Sequence, residues 1–178
     1  MALGGEAAAG FWLDHRAMHS QYVSGITIRP LRSGETDLVQ RVFDQLGARS
    51  RTLRFGGAKT ALSASELAEL ALIDSRRHAL VAFDGRAPIG IARLVRDAGE
   101  WTVAEVAFAV ADQWQGRGVG KALFEQLTAD ARAAGITHLR SYIHAENRPS
   151  LALLKRFTTI IETRAAGSEI EVVSLSAA

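Results

Sequence analysis

One stretch of the sequence, residues 105–121, passes from a strand pattern through a glycine-rich turn into a helix pattern. Apolar residues occupy both alternating faces of its first half, which favours a central strand that is covered on both sides. After the turn, apolar residues recur at helical spacing, at Val119, Leu123, Leu127 and Ala131, and Gly135 is a natural end for that helix. A joint between a buried strand and a helix N-terminus presents unpaired N–H groups and the positive end of the helix dipole, so this turn is predicted to bind an anion.

Three alternating glycines, Gly116, Gly118 and Gly120, indicate how the anion would be held. Glycine lets the backbone adopt a positive φ and approach a ligand without a Cβ atom in the way. Arg117 and Lys121 add positive charge beside these amides. The pattern Gln-x-x-Gly-x-Gly differs from the dinucleotide fingerprint and from the P-loop. Such a turn can also exist without a ligand, but its place between strand and helix favours phosphate binding.

Two motifs carry a resemblance to a known family. Residues 115–120, which follow the apolar run 106–112, resemble the acetyl-CoA pyrophosphate loop of the GNAT superfamily of N-acetyltransferases. Residues 145–154 are similar to that superfamily's second motif, in which an Asn opens a helix beside the cofactor. The resemblance covers roughly residues 26–176, and the two motifs occur in the family's order and spacing.

The resemblance implies an α/β (α+β) fold with a mixed, mostly antiparallel central sheet and flanking helices. The two central strands, residues 104–111 and 139–144, are expected to splay apart and form the cofactor cleft. The hydrophobic patterns agree, since they predict the order β-α-α-β-β-β-α-β-α-β-β, which is neither an all-parallel α/β run nor a helix bundle. Within this order, the arginine-rich segment 48–57 is interpreted either as a solvated loop or as a wall of the acceptor site.

The same resemblance implies acetyl-CoA as the cosubstrate. The residues expected to bind it are Phe108, Ala109, Val110, Gln115, Gly116, Arg117, Gly118, Val119, Gly120, Lys121, Asn147 and Ser150. Asn147 is also a favourable N-cap on composition alone, and the two roles are compatible. No metal is predicted, because His15 and His19 lack a third ligand.

Acetyl transfer needs a neutral amine, and a lysine amine with a pKa near 10.4 is deprotonated only about one part in a thousand at neutral pH. A positioned base is therefore useful. Glu105 on the central strand is the predicted general base, with a structural carboxylate paired to an Arg as the alternative. His144 and Tyr142 on the next strand are further candidates. Leu154 stands where many family members have a Tyr that donates to the leaving thiolate, so the general acid is left unassigned.

The acceptor is predicted to be a primary amine of either of two kinds. Residues 50–55 and 104–118 resemble the catalytic domain of bacterial protein-lysine acetyltransferases that modify acyl-CoA synthetases, which favours a protein lysine. Those relatives often carry an extra domain, so a small-molecule amine stays open. A non-catalytic acyl-CoA-binding module is the alternative from another class. A nucleotide-binding oxidoreductase is disfavoured by the glycine spacing.

Composition limits the partners and the compartment. With 178 residues, of which 48% are apolar, the chain is long enough to form one hydrophobic core. We therefore predict a single domain over residues 25–178, which the resemblance implies is an N-acetyltransferase domain, after an N-terminal extension over residues 1–24. The net charge of +2 and the scattered basic residues do not favour nucleic acid. No apolar run approaches membrane-spanning length, no signal peptide is indicated, and cysteine is absent. A cytoplasmic protein without a membrane partner is therefore expected, and a homodimer is left open.

Overall fold

A computed structural model describes residues 21–23 and 25–176 of the chain. Its strands are β1 (Gln21–Val23), β2 (Ile26–Pro30), β3 (Arg77–Asp84), β4 (Ala87–Arg96), β5 (Val103–Val110), β6 (His138–His144), β7 (Thr158–Ala166) and β8 (Glu169–Ser176). The helices are α1 (Thr36–Asp44), α2 (Ala48–Phe55), α3 (Ala64–Leu70), α4 (Val119–Ala133) and α5 (Arg148–Phe157). His15 and His19 lie outside the described residues, as does nearly all of the predicted extension; β1 is the part of that extension that the structure describes.

The strands form one sheet in the order β1-β2-β3-β4-β5-β6-β8-β7. Every neighbouring pair is antiparallel except β5 and β6, which run parallel and are joined through α4. A parallel pair needs such a crossover connection, and the long helix predicted after the glycine turn supplies it. The predicted mixed, mostly antiparallel sheet with flanking helices is therefore confirmed.

The parallel pair opens into a fork. β5 and β6 are paired at three positions only, Val103 with His138, Ala104 with Leu139 and Glu105 with Arg140. Beyond Glu105, β5 stays paired with β4 as far as Val110, and β6 stays paired with β8 as far as His144. The two central strands therefore diverge, as the resemblance implied.

Two hydrophobic cores cover the two faces of the sheet. The face covered by α4 and α5, called here the α4 face, contains buried Val106, Leu123, Phe124 and Leu139. The opposite face, called here the α2 face, is covered by α1, α2 and α3 and contains buried Leu38, Val39, Phe43 and Val81. Alternation along β5 places Ala104, Val106 and Phe108 on the α4 face, and Glu105, Ala107 and Ala109 on the α2 face.

The arginine-rich segment is a helix, so the interpretation of residues 48–57 as a solvated loop is wrong. α2 begins after Gly47 and ends at Gly56, whose φ of 72° forms a left-handed C-cap. Packing against α1 explains the helix: the rings of Phe43 and Phe55 meet edge to face at 5.6 Å, and the Arg51 guanidinium stacks 4.2 Å over Phe43. α2 contacts both β5 and β6, so it crosses the fork on the α2 face.

Candidate functional site

The turn that leads from β5 into α4 has the backbone geometry expected of an anion site. Gly116 and Gly118 have φ values of 73° and 85°, and Gly118 is the N-cap of α4. A Cβ atom added at either glycine would meet no described atom within 4 Å, so the space beside them is open. Gly120 differs, because it lies in the helix without a positive φ, and a Cβ atom added there would lie 3.6 Å from the Val110 side chain. Two of the three glycines therefore give the turn its shape.

The first turn of α4 leaves its backbone donors free. The first helical bond joins the Ala122 N–H to the Gly118 carbonyl at 3.0 Å, and no side chain caps the helix. Among the described residues, none accepts a hydrogen bond from the amides of residues 116–121. Arg117 stacks 5.1 Å over the Trp114 ring, and Lys121 lies 3.5 Å from Glu125. Free amides, the helix dipole and two cations thus meet at the mouth of the fork, which suits a phosphate group.

The Gln115 side chain points away from this turn and toward α2. Its amide nitrogen donates to the Ser50 hydroxyl at 3.2 Å, to the Val110 carbonyl at 3.1 Å and to the Asp112 carboxylate at 3.2 Å. Ser50 is separated from Gln115 by 65 positions, so no local pattern could have revealed the contact. The Gln115 side chain is therefore already engaged within the protein by three contacts.

Asp112 makes a second connection between the same two regions. Its carboxylate accepts the N–H of Gly47, the N-cap of α2, at 3.0 Å, and its own N–H donates to the Gln45 carbonyl at 3.2 Å. A Cβ atom at Gly47 would lie 2.7 Å from that carboxylate, so a larger residue there would displace the Asp112 side chain. Asp112 and Gln115, called here the clamp, fix the start of α2 to the segment before the phosphate loop. Sequence analysis missed Asp112, Gly47 and Ser50.

Glu105 lies where the fork divides. Its side chain is exposed on the α2 face, and it makes no ion pair or hydrogen bond with any described residue. Its cross-strand neighbour Arg140 pairs instead with Glu171 at 3.2 Å and with Asp97 at 3.3 Å. The alternative role for Glu105, a structural carboxylate bound to an Arg, has no direct contact behind it among the described residues, although the Arg54 guanidinium is near enough to act on Glu105 electrostatically. An unengaged carboxylate is available to an incoming amine.

Tyr142 and His144 share the α2 face of β6, as the strand alternation predicts. The Tyr142 hydroxyl donates to Glu171 at 3.4 Å, and burial together with the Glu171 carboxylate raises the pKa of Tyr142. Tyr142 therefore keeps its proton at neutral pH. The His144 Nδ1 accepts the N–H of Glu146 at 3.3 Å, which ties its ring to the turn before α5.

α5 begins shortly after the end of β6, which is the other arm of the fork. The Asn147 side chain accepts the N–H of Ser150 at 3.3 Å, which confirms Asn147 as an N-cap. Leu154 is fully buried in the core of the α4 face and offers no hydroxyl group. No group of three or more metal-ligating side chains occurs among the described residues.

A small pocket lies on the α2 face beside the free part of β5. Its volume is about 30 Å³, and Ala107 and Ala109 form part of its floor. The remaining walls are mostly apolar side chains of α1, α2 and α3 and their flanking residues, namely Val39, Val42, Phe43, Leu46, Phe55, Leu62 and Leu70, with Ile91 of β4. Two guanidinium groups, Arg54 and Arg93, complete the lining. The pocket therefore combines an apolar surface with positive charge.

Comparison with known proteins agrees with this geometry. The sequence model of the Acetyltransferase (GNAT) family matches residues 48–158. The acetyltransferase Pat of Mycolicibacterium smegmatis is 33% identical over 72 residues, which is 40% of this chain and 22% of that protein. The chain thus matches about a fifth of the length of this curated relative.

Solved structures give a longer match. The GNAT domain of S. lividans PAT superposes with a TM-score of 0.77 and 26% identity, covering 84% of this chain and 90% of that domain. The acetyltransferase-like protein yncA of Salmonella typhimurium, solved with its cofactor acetyl-CoA, has a TM-score of 0.65 and 18% identity over 85% of this chain and 93% of that one. At that identity it supports the fold alone. No helix among the described residues is long and apolar enough to cross a membrane. On the family match and the shared fold, the chain is a member of the GNAT family of N-acetyltransferases.

Proposed function

We propose that the protein transfers an acetyl group from acetyl-CoA to a primary amine. The observation that carries this proposal is the fork between β5 and β6, with a glycine turn and the free amides of α4 at its mouth. Such a fork provides an unpaired strand edge and an anion site side by side. A pantetheine arm with its pyrophosphate needs both.

In this proposal the pyrophosphate lies on the amides of residues 116–121, with Arg117 and Lys121 beside it. The pantetheine amides pair with the edge of β5 over residues 108–110, where the strand has lost its β6 partner. Asn147 and Ser150 face it from the opposite arm of the fork. Acetyl-CoA supplies the activated acyl group, and the protein supplies backbone donors and orientation.

The proposed chemistry is direct attack by the amine nitrogen on the thioester carbonyl, with Glu105 as the general base. The C–N bond forms, the C–S bond breaks, and the amine proton passes to the Glu105 carboxylate directly or through water. Its exposed position and lack of a partner among the described residues support this role. Because Leu154 cannot donate, the departing thiolate takes its proton from another group or from water.

Two acceptors fit this reaction. The similarity to the S. lividans PAT domain and the sequence resemblance to bacterial protein-lysine acetyltransferases favour a protein lysine. The apolar pocket on the α2 face favours an amine with an apolar substituent. We propose both for testing.

The experiment combines binding and turnover. A ligand at 100 times its dissociation constant adds about 2.7 kcal/mol to folding stability, so acetyl-CoA should raise Tm by several degrees while NAD and ATP should not. Thiol release should then be measured over a panel of amines and lysine peptides. Binding of acetyl-CoA without turnover on any amine would favour the non-catalytic module, for which the absence of a donor at Leu154 is the motivation. A shift with NAD alone would contradict the proposal.

A further inference from the structure

Arg54 differs from the other charged groups around the pocket because its guanidinium has no hydrogen-bonding or ionic partner among the described residues. It lines the pocket, is largely covered by protein, and lies 5.0 Å over the Phe55 ring. Burial lowers the pKa of Arg54, the nearby Glu105 and Glu169 carboxylates oppose that shift, and Arg93 adds to it. Arg54 is thus a partly desolvated cation whose field reaches Glu105.

Arg93 lines the same pocket, but its guanidinium has hydrogen-bonding partners. It donates to the carbonyl and to the carboxylate of Glu69 at 2.8 and 3.0 Å. Arg54 has no equivalent contact, although the pocket around it is apolar. A desolvated charge without a partner costs free energy, and such groups concentrate where a ligand supplies the partner.

We propose that the acceptor amine carries an anionic group, a carboxylate, which Arg54 binds, and an apolar group that enters the pocket. This inference rests on the proposed function, because it places the amine at Glu105. Glu105 lies on the same sheet face as the pocket floor at Ala107. An acceptor that carries both charges would set its ammonium against Glu105 and its carboxylate against Arg54. The planar guanidinium can hold a carboxylate through two parallel hydrogen bonds.

This chemistry has two sources, a free apolar amino acid or a peptide lysine beside an acidic residue. In the first arm of the test, turnover with L-leucine is compared with L-leucinamide, which lacks only the negative charge. The amine of the amide resembles a chain N-terminus with a pKa of about 7.7–8.0 and is readily neutral, so a site indifferent to charge would favour the amide. The second arm compares two peptides that carry Glu or Gln beside one lysine. We expect the anionic member of one pair to have kcat/KM about tenfold or more above its neutral match.

Variants then assign the preference to Arg54. Arg54→Gln should lower kcat/KM for the anionic acceptor about tenfold more than for the neutral one, and Arg54→Lys should retain part of the preference. Arg49→Gln removes the same charge from an exposed position of α2 and should leave the preference intact. Equal rates within both pairs in the wild type, or equal losses for both acceptors in Arg54→Gln, would overturn the inference.

A binding measurement separates this inference from the proposed function. Calorimetry of each acceptor pair is done with protein saturated with coenzyme A, so that no turnover is needed. Tighter binding of the anionic acceptor that depends on Arg54, without acetylation of any amine, would sustain the inference and defeat the proposed function. Acetylation of neutral amines only would support the proposed function and overturn the inference. No detectable binding of either anionic acceptor would overturn the inference.

Discussion

The two sides of the fork are built in different ways. On the cofactor side, the elements that matter are consecutive: β5, the glycine turn and α4 follow one another along residues 103–133. On the side where we propose that the acceptor binds, Glu105 comes from β5 and Arg54 from α2, which are far apart in the chain. The first site is mostly backbone, and the second is mostly side chains. We therefore expect the cofactor side to respond to changes in backbone conformation, and the acceptor side to changes in charge.

The clamp joins the two sides. Asp112 lies just before the phosphate loop, residues 115–120, and Gln115 opens it, and both contact the first turn of α2, whose far end carries Arg54. We therefore expect a displacement of the loop to disturb α2 through these hydrogen bonds of 3.0 to 3.2 Å. The two sides are built differently, and these hydrogen bonds connect them.

The largest effect is expected from Gly118→Val, which should abolish acetyl-CoA binding. A side chain at this position would occupy open space beside the amides, and a β-branched residue resists the φ of 85°. Gly135→Val is the matched control, because Gly135 has a φ of 77° with equally open surroundings at the other end of α4. Both variants should lose stability, and only Gly118→Val should lose binding by calorimetry.

Arg117→Ala measures how much a side chain contributes to acetyl-CoA binding at the same site. It should weaken acetyl-CoA binding by about 1–2 kcal/mol, since one charge-assisted contact is lost. Equal losses for Arg117→Ala and Gly118→Val on folded protein would contradict a backbone-built cofactor side.

On the acceptor side, Glu105→Gln should reduce turnover by roughly 10²–10⁴-fold with acetyl-CoA affinity nearly unchanged. The substitution keeps the shape of the side chain and removes its proton affinity. The wild-type rate should rise with pH through an apparent pKa that the variant lacks. Glu100→Gln, in the exposed turn before β5, is the control and should keep both rate and profile. Near-normal turnover of Glu105→Gln would remove Glu105 from the mechanism and make His144 the next candidate.

Removing one contact of the clamp is expected to have a smaller effect, on KM for the acceptor and not on Kd for acetyl-CoA. Gln115→Leu removes the donor that reaches Ser50, so α2 should be held less firmly and KM for the acceptor should rise about fivefold, which corresponds to about 1 kcal/mol. The Kd for acetyl-CoA, measured by calorimetry, should change less than twofold. Ser50→Ala, which removes one acceptor only, should give a smaller rise. A large increase in the acetyl-CoA Kd would show that the Gln115 side chain contacts the cofactor, as the resemblance implied.

The smallest effect concerns α3, whose last residue Leu70 lines the pocket together with Leu62, which precedes the helix. Hydrogen bonds from Lys59 and from Ser63 lower the pKa of Glu66 from 4.5 to about 2. Because the folded pKa is the lower one, this stabilisation is complete above pH 4.5 and is lost as the pH falls toward 2. Glu66→Gln should therefore melt below the wild type at pH 7, by a small margin for an exposed pair, and the two Tm values should converge in acid. A Tm difference that stays constant from pH 7 to pH 2 would contradict this assignment.

Features encoded within a few residues could be read from the sequence. The glycine turn, the helix that follows it and the Asn147 cap of α5 were all predicted and are all present. Each depends on contacts between positions at most a few residues apart, where steric limits on φ and local hydrogen bonds decide the conformation. The fork itself was implied by family resemblance.

Tertiary structure decided which partners the side chains take. Residues 48–57 had no strong local signal, and contact with Phe43 of α1 settled α2 as a helix. Gln115 stays a predicted cofactor-binding residue, and the approach of Ser50 gives its side chain a partner that no local pattern predicted. An unspecified Arg was the alternative partner for Glu105, but its cross-strand neighbour Arg140 pairs with Glu171, which the register of β8 places within reach. The physical reason is the same in each case: a side chain's partner is fixed by which elements the sheet and its helices bring together, and the sequence around that residue does not contain this information.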